Sequence, residues 1–202
     1  MQQFSKEFID QFPQDFNFQY FISLKSFQAR LSYCKEHLEY ITSGSSRSVF
    51  KINDKWAIKV AKNFKGLAQN EEEYELSNDY VAQSLDILAP VGESDDIMYR
   101  WITMRYAKKC LTKDFGKITG VSFNDLCKAL TKQFSKYKVD LEINEDIYEN
   151  EFYSSLVDLI ANFPLPYNEF TRLSTFGIID NKVYIIDFGC SEDVFEKYYK
   201  RK

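Results

Sequence analysis

Few side chains in this sequence are of the types that most often carry catalysis or bind metal ions. His37 is the only histidine among the 202 residues, which excludes histidine-rich metal sites and disfavours a Ser-His-Asp triad. The four cysteines, Cys34, Cys110, Cys127 and Cys190, are scattered and include no Cys-x-x-Cys pair. Their spacing argues against a zinc site or a disulfide framework, and it fits free thiols in a reducing cytoplasm.

Two charged residues occur in or directly after short hydrophobic runs. Asp187 follows the run 182–186 and precedes Phe188-Gly189. A strand that leads into a tight turn holds such a carboxylate at a fixed point. Lys59 lies between Ile58 and Val60 in a second run of this kind. That lysine is either a functional residue or a solubilising residue of an edge strand, and the sequence leaves both readings open.

The elements that would position these residues follow from hydrophobic periodicity. Helices are predicted over residues 20–40, 67–85, 123–137 and 152–163. Hairpins are predicted over residues 49–60 and 176–186, and two further strands are predicted over residues 87–90 and 97–104. A β-rich first half followed by a helical second half predicts an α+β protein with two lobes.

The overall charge and hydropathy restrict the surroundings in which the protein works. There are 30 acidic and 26 basic residues, which gives a formal net charge of −4. This balance provides no global attraction to nucleic acid or to an anionic membrane. No run of about 18 apolar residues and no N-terminal signal pattern is visible, so we expect a cytoplasmic protein.

The order of the predicted elements resembles the protein kinase fold, because the second hairpin leads into Asp187-Phe188-Gly189. In this respect the sequence is similar to small kinase-like proteins of bacteriophages and bacteria. Residues 1–39 lie outside the resemblance and are expected to form an N-terminal helical extension, whereas the resemblance implies a β-rich N-lobe with one helix over 40–106. A reduced, mostly helical C-lobe is expected over 107–202.

The same resemblance implies a site for ATP and Mg²⁺. Lys59, in Ala57-Ile58-Lys59, matches the lysine that contacts the α- and β-phosphates in the family, and Asp187 matches the aspartate that holds the metal ion.

Two further parts of the nucleotide site are implied in the first lobe. Gly44, Ser45 and Ser46 occupy the place of the glycine-rich phosphate loop, although a plain turn explains them equally well. A glutamate of the next helix is expected to pair with Lys59. Several candidates compete, and Glu71 and Glu75, which share a helix face, are preferred.

The stretch that corresponds to the catalytic loop departs from the family pattern. Glu169 stands where kinases carry the aspartate that accepts the proton of the substrate hydroxyl, and Ser174 stands where they carry the asparagine that binds a second metal ion. Arg172 is placed either beside the transferred phosphate or in a structural salt bridge. These departures favour a pseudokinase.

The sequence therefore supports two functional hypotheses within one fold. The first is an atypical ATP-dependent phosphotransferase of the serine/threonine protein kinase type, and the second is a pseudokinase that binds a protein partner. An alternative is an interaction or inhibitor protein without a nucleotide site. Only 13 residues follow Gly189, too few for an activation segment and peptide-docking helices. We expect a protein partner or a protein substrate. If this is a phage protein, we expect that partner or substrate to be a host protein.

Overall fold

The computed structural model describes residues 4–95, 97–137 and 140–200. These residues belong to two units. The first contains the chain up to Tyr74 together with Pro90–Tyr106, and the second contains Glu75–Ala89 together with the chain from Ala107 onward. The ends of the predicted extension and of the predicted C-lobe, residues 1–3 and 201–202, lie outside the described residues.

A five-stranded antiparallel sheet forms the framework of the first unit. Its strands, in spatial order, are β1 (Glu39–Ser43), β2 (Arg47–Lys51), β3 (Trp56–Ala61), β5 (Trp101–Arg105) and β4 (Val91–Ser94). The hairpin predicted over 49–60 is confirmed as the β2–β3 pair. The side chain of Asn53 fixes its turn by accepting hydrogen bonds from the backbone N–H groups of Lys55 and Trp56, at 2.7 and 3.0 Å.

Three short helices precede the sheet: α1 (Lys6–Ile9), α2 (Phe18–Ser23) and α3 (Phe27–His37). The prediction of one helix over 20–40 is wrong, because a new helix begins where the Ser26 hydroxyl accepts a hydrogen bond from the N–H of Ala29. The chain is already in β1 from Glu39. The phenylalanine side chains of α1, α2 and their connections pack with Phe50, Ile58 and Trp101 in one buried core.

The acidic stretch after β3 also forms two helices instead of one. They are α4 (Phe64–Asn78) and α5 (Tyr80–Ser84), and the prediction of a single helix over 67–85 is wrong. Asp79 separates them, because its carboxylate accepts hydrogen bonds from the N–H groups of Val81 and Ala82 and so begins α5. The chain passes from the first unit to the second within α4.

The two further strands lie later in the sequence than predicted. Residues 87–90 contribute an isolated bridge between Leu88 and Ile185, whereas the strand of the first sheet begins at Val91. The strand predicted over 97–104 is shifted to β5, because a turn occupies the residues before Trp101. In that turn the N–H of Tyr99 donates to the carbonyl oxygen of Asp95 at 2.7 Å.

The second unit is mostly helical. Its helices after α5 are α6 (Thr112–Thr119), α7 (Phe123–Phe134), α8 (Glu151–Asn162) and α9 (Glu192–Tyr198). A small antiparallel sheet of β6 (Lys108–Lys109), β7 (Phe176–Ile179) and β8 (Lys182–Ile185) completes it. The predicted second hairpin is confirmed, and Asp180 and Asn181 form its turn with φ of 48° and 63°, as a two-residue hairpin turn requires.

The α+β fold class is confirmed by this arrangement. An antiparallel five-stranded sheet with a helix after its third strand precedes a helical region, which is the order expected of a kinase-like fold. Among the described residues, no helix combines the length and the apolar character needed to cross a bilayer.

Candidate functional site

Lys59 lies on a central strand of the first sheet. It pairs with Val49 of β2 on one side and with Ile102 of β5 on the other. Because side chains alternate along a strand, Lys59 lies on the face opposite Ile58 and Val60, which belong to the aromatic core. Its side chain is almost fully buried, with 6% of the residue exposed. The reading of Lys59 as a solubilising lysine on an edge strand is therefore wrong.

The partner of Lys59 is Glu73 of α4. The Lys59 Nζ donates a hydrogen bond to Glu73 Oε2 at 2.5 Å, and Glu73 is fully buried. The prediction of Glu71 or Glu75 as the partner is wrong, since both are exposed. A helix turns by about 100° per residue, so a face shared by Glu71 and Glu75 points roughly away from Glu73.

A second cation, Arg47 at the start of β2, binds the same carboxylate. Its Nη2 donates to Glu73 Oε1 at 2.9 Å and its Nη1 to Asn70 Oδ1 at 3.3 Å. Asn70 in turn donates to the carbonyl oxygen of Tyr99 at 2.8 Å. The carboxylate is thereby held from two sides, and α4 is tied to β2, β3 and the turn before β5.

The electrostatics of this cluster keep Glu73 ionised. Burial alone would raise the pKa of the Glu73 carboxyl, but the charges of Arg47 and Lys59 and their hydrogen bonds outweigh it and lower the pKa from 4.5 to about 2. Two cations, Arg47 and Lys59, therefore hold one ionised carboxylate at neutral pH.

The segment predicted to bind phosphate is the tight turn between β1 and β2. Gly44 and Ser45 are exposed, whereas Ser46 is buried and its hydroxyl donates to Gln69 Oε1. The N–H of Gly44 donates to the carbonyl oxygen of Arg47 at 3.0 Å. Lys62, which the sequence analysis did not single out, donates to the Gly44 carbonyl oxygen at 2.8 Å. The Ser46 hydroxyl is thus engaged within the protein, and Lys62 adds a basic group at this turn.

Gly66 fixes the distance between this turn and α4. A Cβ at residue 66 would lie 2.3 Å from the carbonyl oxygen of Ser46, which also accepts a hydrogen bond from the N–H of Lys62 at 2.8 Å. We expect Gly66→Ala to lower the free energy of unfolding by about 1–3 kcal/mol, as overpacking does elsewhere, despite the better helix propensity of alanine. Urea denaturation measures the change.

Gly44→Ala is the matched control for this prediction. A Cβ at Gly44 meets nothing within 4 Å, so its effect should stay within about 0.5 kcal/mol. Equal stability of the two variants would contradict the proposed close approach of α4 to the turn.

Glu169 and Arg172 lie in the second unit and form an ion pair. Glu169 belongs to a 3₁₀ turn, Tyr167–Thr171, and accepts a hydrogen bond at Oε2 from Arg172 Nη1 at 2.9 Å. The Thr175 hydroxyl donates to the Glu169 carbonyl oxygen at 2.7 Å and fixes the backbone. Burial raises the pKa of the Glu169 carboxyl, the nearby negative charge of Asp187 raises it further, and Arg172 opposes both. Glu169 consequently has a higher proton affinity than an ordinary glutamate.

Asp187 follows β8 after one intervening residue, Ile186. The residue is exposed, whereas Phe188 and Gly189 are buried. The N–H of Ile186 donates to the carbonyl oxygen of Thr175 at 2.8 Å, which ties this segment to the one that carries Glu169. Thr175, a buried residue that the sequence analysis did not single out, thus contacts both segments. The second unit brings Glu169, Arg172 and Asp187 together.

Within the described ranges, no cluster of three or more His, Cys, Asp or Glu side chains has the geometry to hold a metal ion. Ser174, the predicted second ligand, is exposed in the 3₁₀ turn Leu173–Thr175. Asp187 and a hydroxyl are hard oxygen ligands of the kind that Mg²⁺ prefers, and Mg²⁺ usually takes its remaining ligands from phosphates and water. These residues therefore fit Mg²⁺ that arrives with a nucleotide.

Comparison with known proteins finds similarity in structure and not in sequence. No protein-family model matches the sequence, and no curated protein sequence matches it. The ADP-bound aminoglycoside phosphotransferase APH(2'')-Ib matches with a TM-score of 0.37 and 16% identity, over 81% of this chain and 69% of that chain. The streptomycin–ATP ternary complex of APH(2'')-IIa matches with a TM-score of 0.41 and 16% identity, over 94% and 72%.

A choline/ethanolamine kinase family protein from Mesorhizobium loti also matches, with a TM-score of 0.36 and 12% identity, over 74% of this chain and 57% of that chain. All of these similarities are distant, and they are similarities of the backbone structure and not of the sequence. The order of the elements, with the lysine of β3 paired to the helix that follows it, is the order expected of a protein-kinase-like fold.

Proposed function

We propose that this protein is a kinase-like nucleotide-binding protein that takes ATP together with Mg²⁺. The observation that carries the proposal is the buried ion pair between Lys59 and Glu73. In this proposal the Lys59 ammonium contacts the phosphates and Asp187 binds the metal ion, as the resemblance to kinases implies.

The energetics of the ion pair favour a functional role for it. Moving a carboxylate and an ammonium out of water costs several kcal/mol per ion, and well-packed apolar side chains of similar size are often equally or more stabilising. A strongly shifted pKa beside a specific charge partner is also more common at functional sites than elsewhere. Arg47 supports the same role, because it holds Glu73 in the orientation that receives Lys59.

Phosphate transfer is the reaction that the second unit supports. Glu169, with its raised proton affinity, would accept the proton of a substrate hydroxyl. The hydroxyl oxygen then bonds to the γ-phosphorus, the bond from that phosphorus to the bridging oxygen breaks, and ADP leaves with the electron pair. Arg172 either neutralises the phosphoryl oxygens or stays bound to Glu169.

Calorimetric titration with Mg²⁺-ATP tests the nucleotide site. We expect binding by the wild type in the micromolar range, weakened by roughly tenfold or more in Lys59→Ala and in Asp187→Ala, because each removes a charge-assisted contact. Lys55→Ala and Asp158→Ala, which remove exposed charges of the same signs, are the matched controls. A folded wild type that gives no heat with Mg²⁺-ATP would refute the proposal.

A pseudokinase that binds a protein partner is the second candidate, and the ion pair between Arg172 and Glu169 favours it. A glutamate held by an arginine is less available as a base. The distinguishing measurement is ATP turnover in the wild type and in Glu169→Gln. If the wild type binds ATP but turns it over no faster than Glu169→Gln, and both only at the level of the uncatalysed reaction, the result would support the pseudokinase. Its partner would then be sought among proteins. A host protein as partner stays a prediction from the resemblance to phage proteins.

A further inference from the structure

One face of α4 is bound by Ser46 and Arg47, the residues at which β2 begins. Four buried residues at helical spacing make up that face: Gly66, Gln69, Asn70 and Glu73. The Ser46 hydroxyl donates to Gln69 Oε1, and a Cβ at residue 66 would lie 2.3 Å from the Ser46 carbonyl oxygen. The position of α4 therefore depends on more than its ion pair with Lys59.

Arg47 contacts this face at two points. Its guanidinium donates to Glu73 Oε1 at 2.9 Å through Nη2 and to Asn70 Oδ1 at 3.3 Å through Nη1. Asn70 and Glu73 are almost one helical turn apart, so a rigid fork that binds both resists rotation of α4 about its axis. The Lys59 ammonium reaches the helix through Glu73 Oε2, and as a point charge on a flexible stem it can follow a carboxylate that moves.

The acceptor on Asn70 is itself held in position. Asn70 Nδ2 donates to the carbonyl oxygen of Tyr99 at 2.8 Å, which directs Oδ1 of the same amide toward Arg47. Burial raises the pKa of the Glu73 carboxyl, and of the two cations that lower it, Arg47 has the larger effect and Lys59 the smaller. Arg47 is thus the stronger partner of Glu73.

We propose that Arg47 is a positioning residue that fixes Glu73 and α4 independently of Lys59. A ligand that takes hydrogen bonds from the Lys59 ammonium then leaves α4 where it is, and the site is complete before the ligand arrives. Glu73 orients Lys59, and Arg47 orients Glu73. That the ligand is a nucleotide rests on the proposed function, whereas the hold of Arg47 on Glu73 does not.

Hydrogen–deuterium exchange of the ligand-free protein, measured by mass spectrometry on peptides from α4, tests this hold. Arg47→Met and Lys59→Met each remove one cation at similar length. We expect the α4 amides to exchange roughly tenfold or more faster in Arg47→Met, because the helix loses charge-assisted hydrogen bonds at two residues, and less than about threefold faster in Lys59→Met. Lys51→Met, which removes an ion pair with Asp54 from the same strand, is the matched control and should leave α4 unchanged.

Arg47→Lys keeps a cation at this position and decides the question even where Arg47→Met does not fold. Its single ammonium can bind Glu73 but cannot bridge to Asn70 as the fork does, so α4 should exchange faster than in the wild type and in Lys59→Met. Exchange of α4 at least as fast in Lys59→Met as in Arg47→Lys would overturn the assignment.

Calorimetric titration with Mg²⁺-ATP tests the consequence for the ligand. The Arg47 variant should bind roughly tenfold more weakly than the wild type, because binding must then order α4, and saturating Mg²⁺-ATP should restore slow exchange of the helix. Fast exchange that persists at saturation would mean that Arg47 stabilises the helix without serving Lys59. A wild type that gives no heat would refute the nucleotide site, while exchange in the ligand-free variants would still decide the role of Arg47.

Discussion

Replacing Glu73 with alanine is expected to lower the free energy of unfolding by about 3–5 kcal/mol. The loss arises because Lys59 and Arg47, both nearly buried, would each keep a charge and lose the ion pair with Glu73. Urea denaturation followed by tryptophan fluorescence measures the effect in the right part of the molecule, since both tryptophans, Trp56 and Trp101, belong to the first unit.

Glu75→Ala is the control, because the residue lies on the same helix and is exposed. Its effect should remain within about 0.5 kcal/mol, as is usual for surface substitutions. Similar losses in Glu73→Ala and Glu75→Ala would mean that the cluster contributes nothing specific, and the description of Glu73 as the carboxylate that holds two cations would have to be abandoned.

The cluster also predicts a component of acid sensitivity. The pKa of the Glu73 carboxyl is lower in the folded protein, about 2, than the 4.5 of an ordinary glutamate. The folded state therefore binds fewer protons, and the stabilisation is complete above about pH 4.5 and disappears as the pH falls toward 2. Glu73→Gln lacks this carboxyl and should lose less stability than the wild type across that interval. Parallel curves of stability against pH would count against the assignment.

Phe21→Ala should cost a similar amount, about 3–5 kcal/mol. Phe21 is fully buried at the centre of the aromatic core, and its ring lies 5.4 Å from that of Phe16 and 6.1 Å from that of Trp101. Removing the ring leaves a cavity that is lined by residues of both the helices and the sheet. The change is measured by the same fluorescence-detected denaturation.

The adjacent residue supplies a matched control. Tyr20 lies in the same helix as Phe21 and has a ring of similar size, but 53% of the residue is exposed. Tyr20→Ala should therefore cost less than about 1 kcal/mol, mostly from its contact with Tyr33. If the free energy of unfolding fell only slightly in both variants, the N-terminal helices would not contribute to the core of the first unit.

The two hairpins were predictable because the residues that determine each of them are neighbours in the sequence. Alternating apolar residues give the strands, and the residues between them suit turns: Asn53 bonds the backbone of the next residues, and Asp180 and Asn181 tolerate positive φ. Such patterns need no knowledge of distant contacts, and the structure contains both hairpins.

The breaks between helices were missed because apolar spacing continues through them. Ser26 and Asp79 are polar residues that look like ordinary surface positions of a longer helix, and only their capping hydrogen bonds show that new helices begin there. The strand β4 was missed for a different reason. It is an edge strand of its sheet, and its residues Gly92, Glu93 and Ser94 have the composition of a turn.

The candidate site was only partly predictable for a related reason. The positions of Lys59 and Asp187 at the middle and end of hydrophobic runs are visible in the sequence. Which glutamate turns inward is decided by how α4 packs. The useful signal is the spacing of Asn70, Glu73 and Leu76, which recur every third residue and are all buried. An inward face that includes polar residues such as Asn70 and Glu73 escapes a search for apolar ones.

The order of strands in the first sheet has a consequence for synthesis on the ribosome. The strand β5 lies between β3 and β4, and the chain reaches it only after residues 75–89, which belong to the other unit. Until Arg105 leaves the exit tunnel, the nascent chain holds β3 as an open edge, with Lys59 and its neighbours lacking their second partner strand. Because exposed strand edges invite pairing between chains, this interval is the one in which the growing polypeptide most depends on fast elongation or on a chaperone.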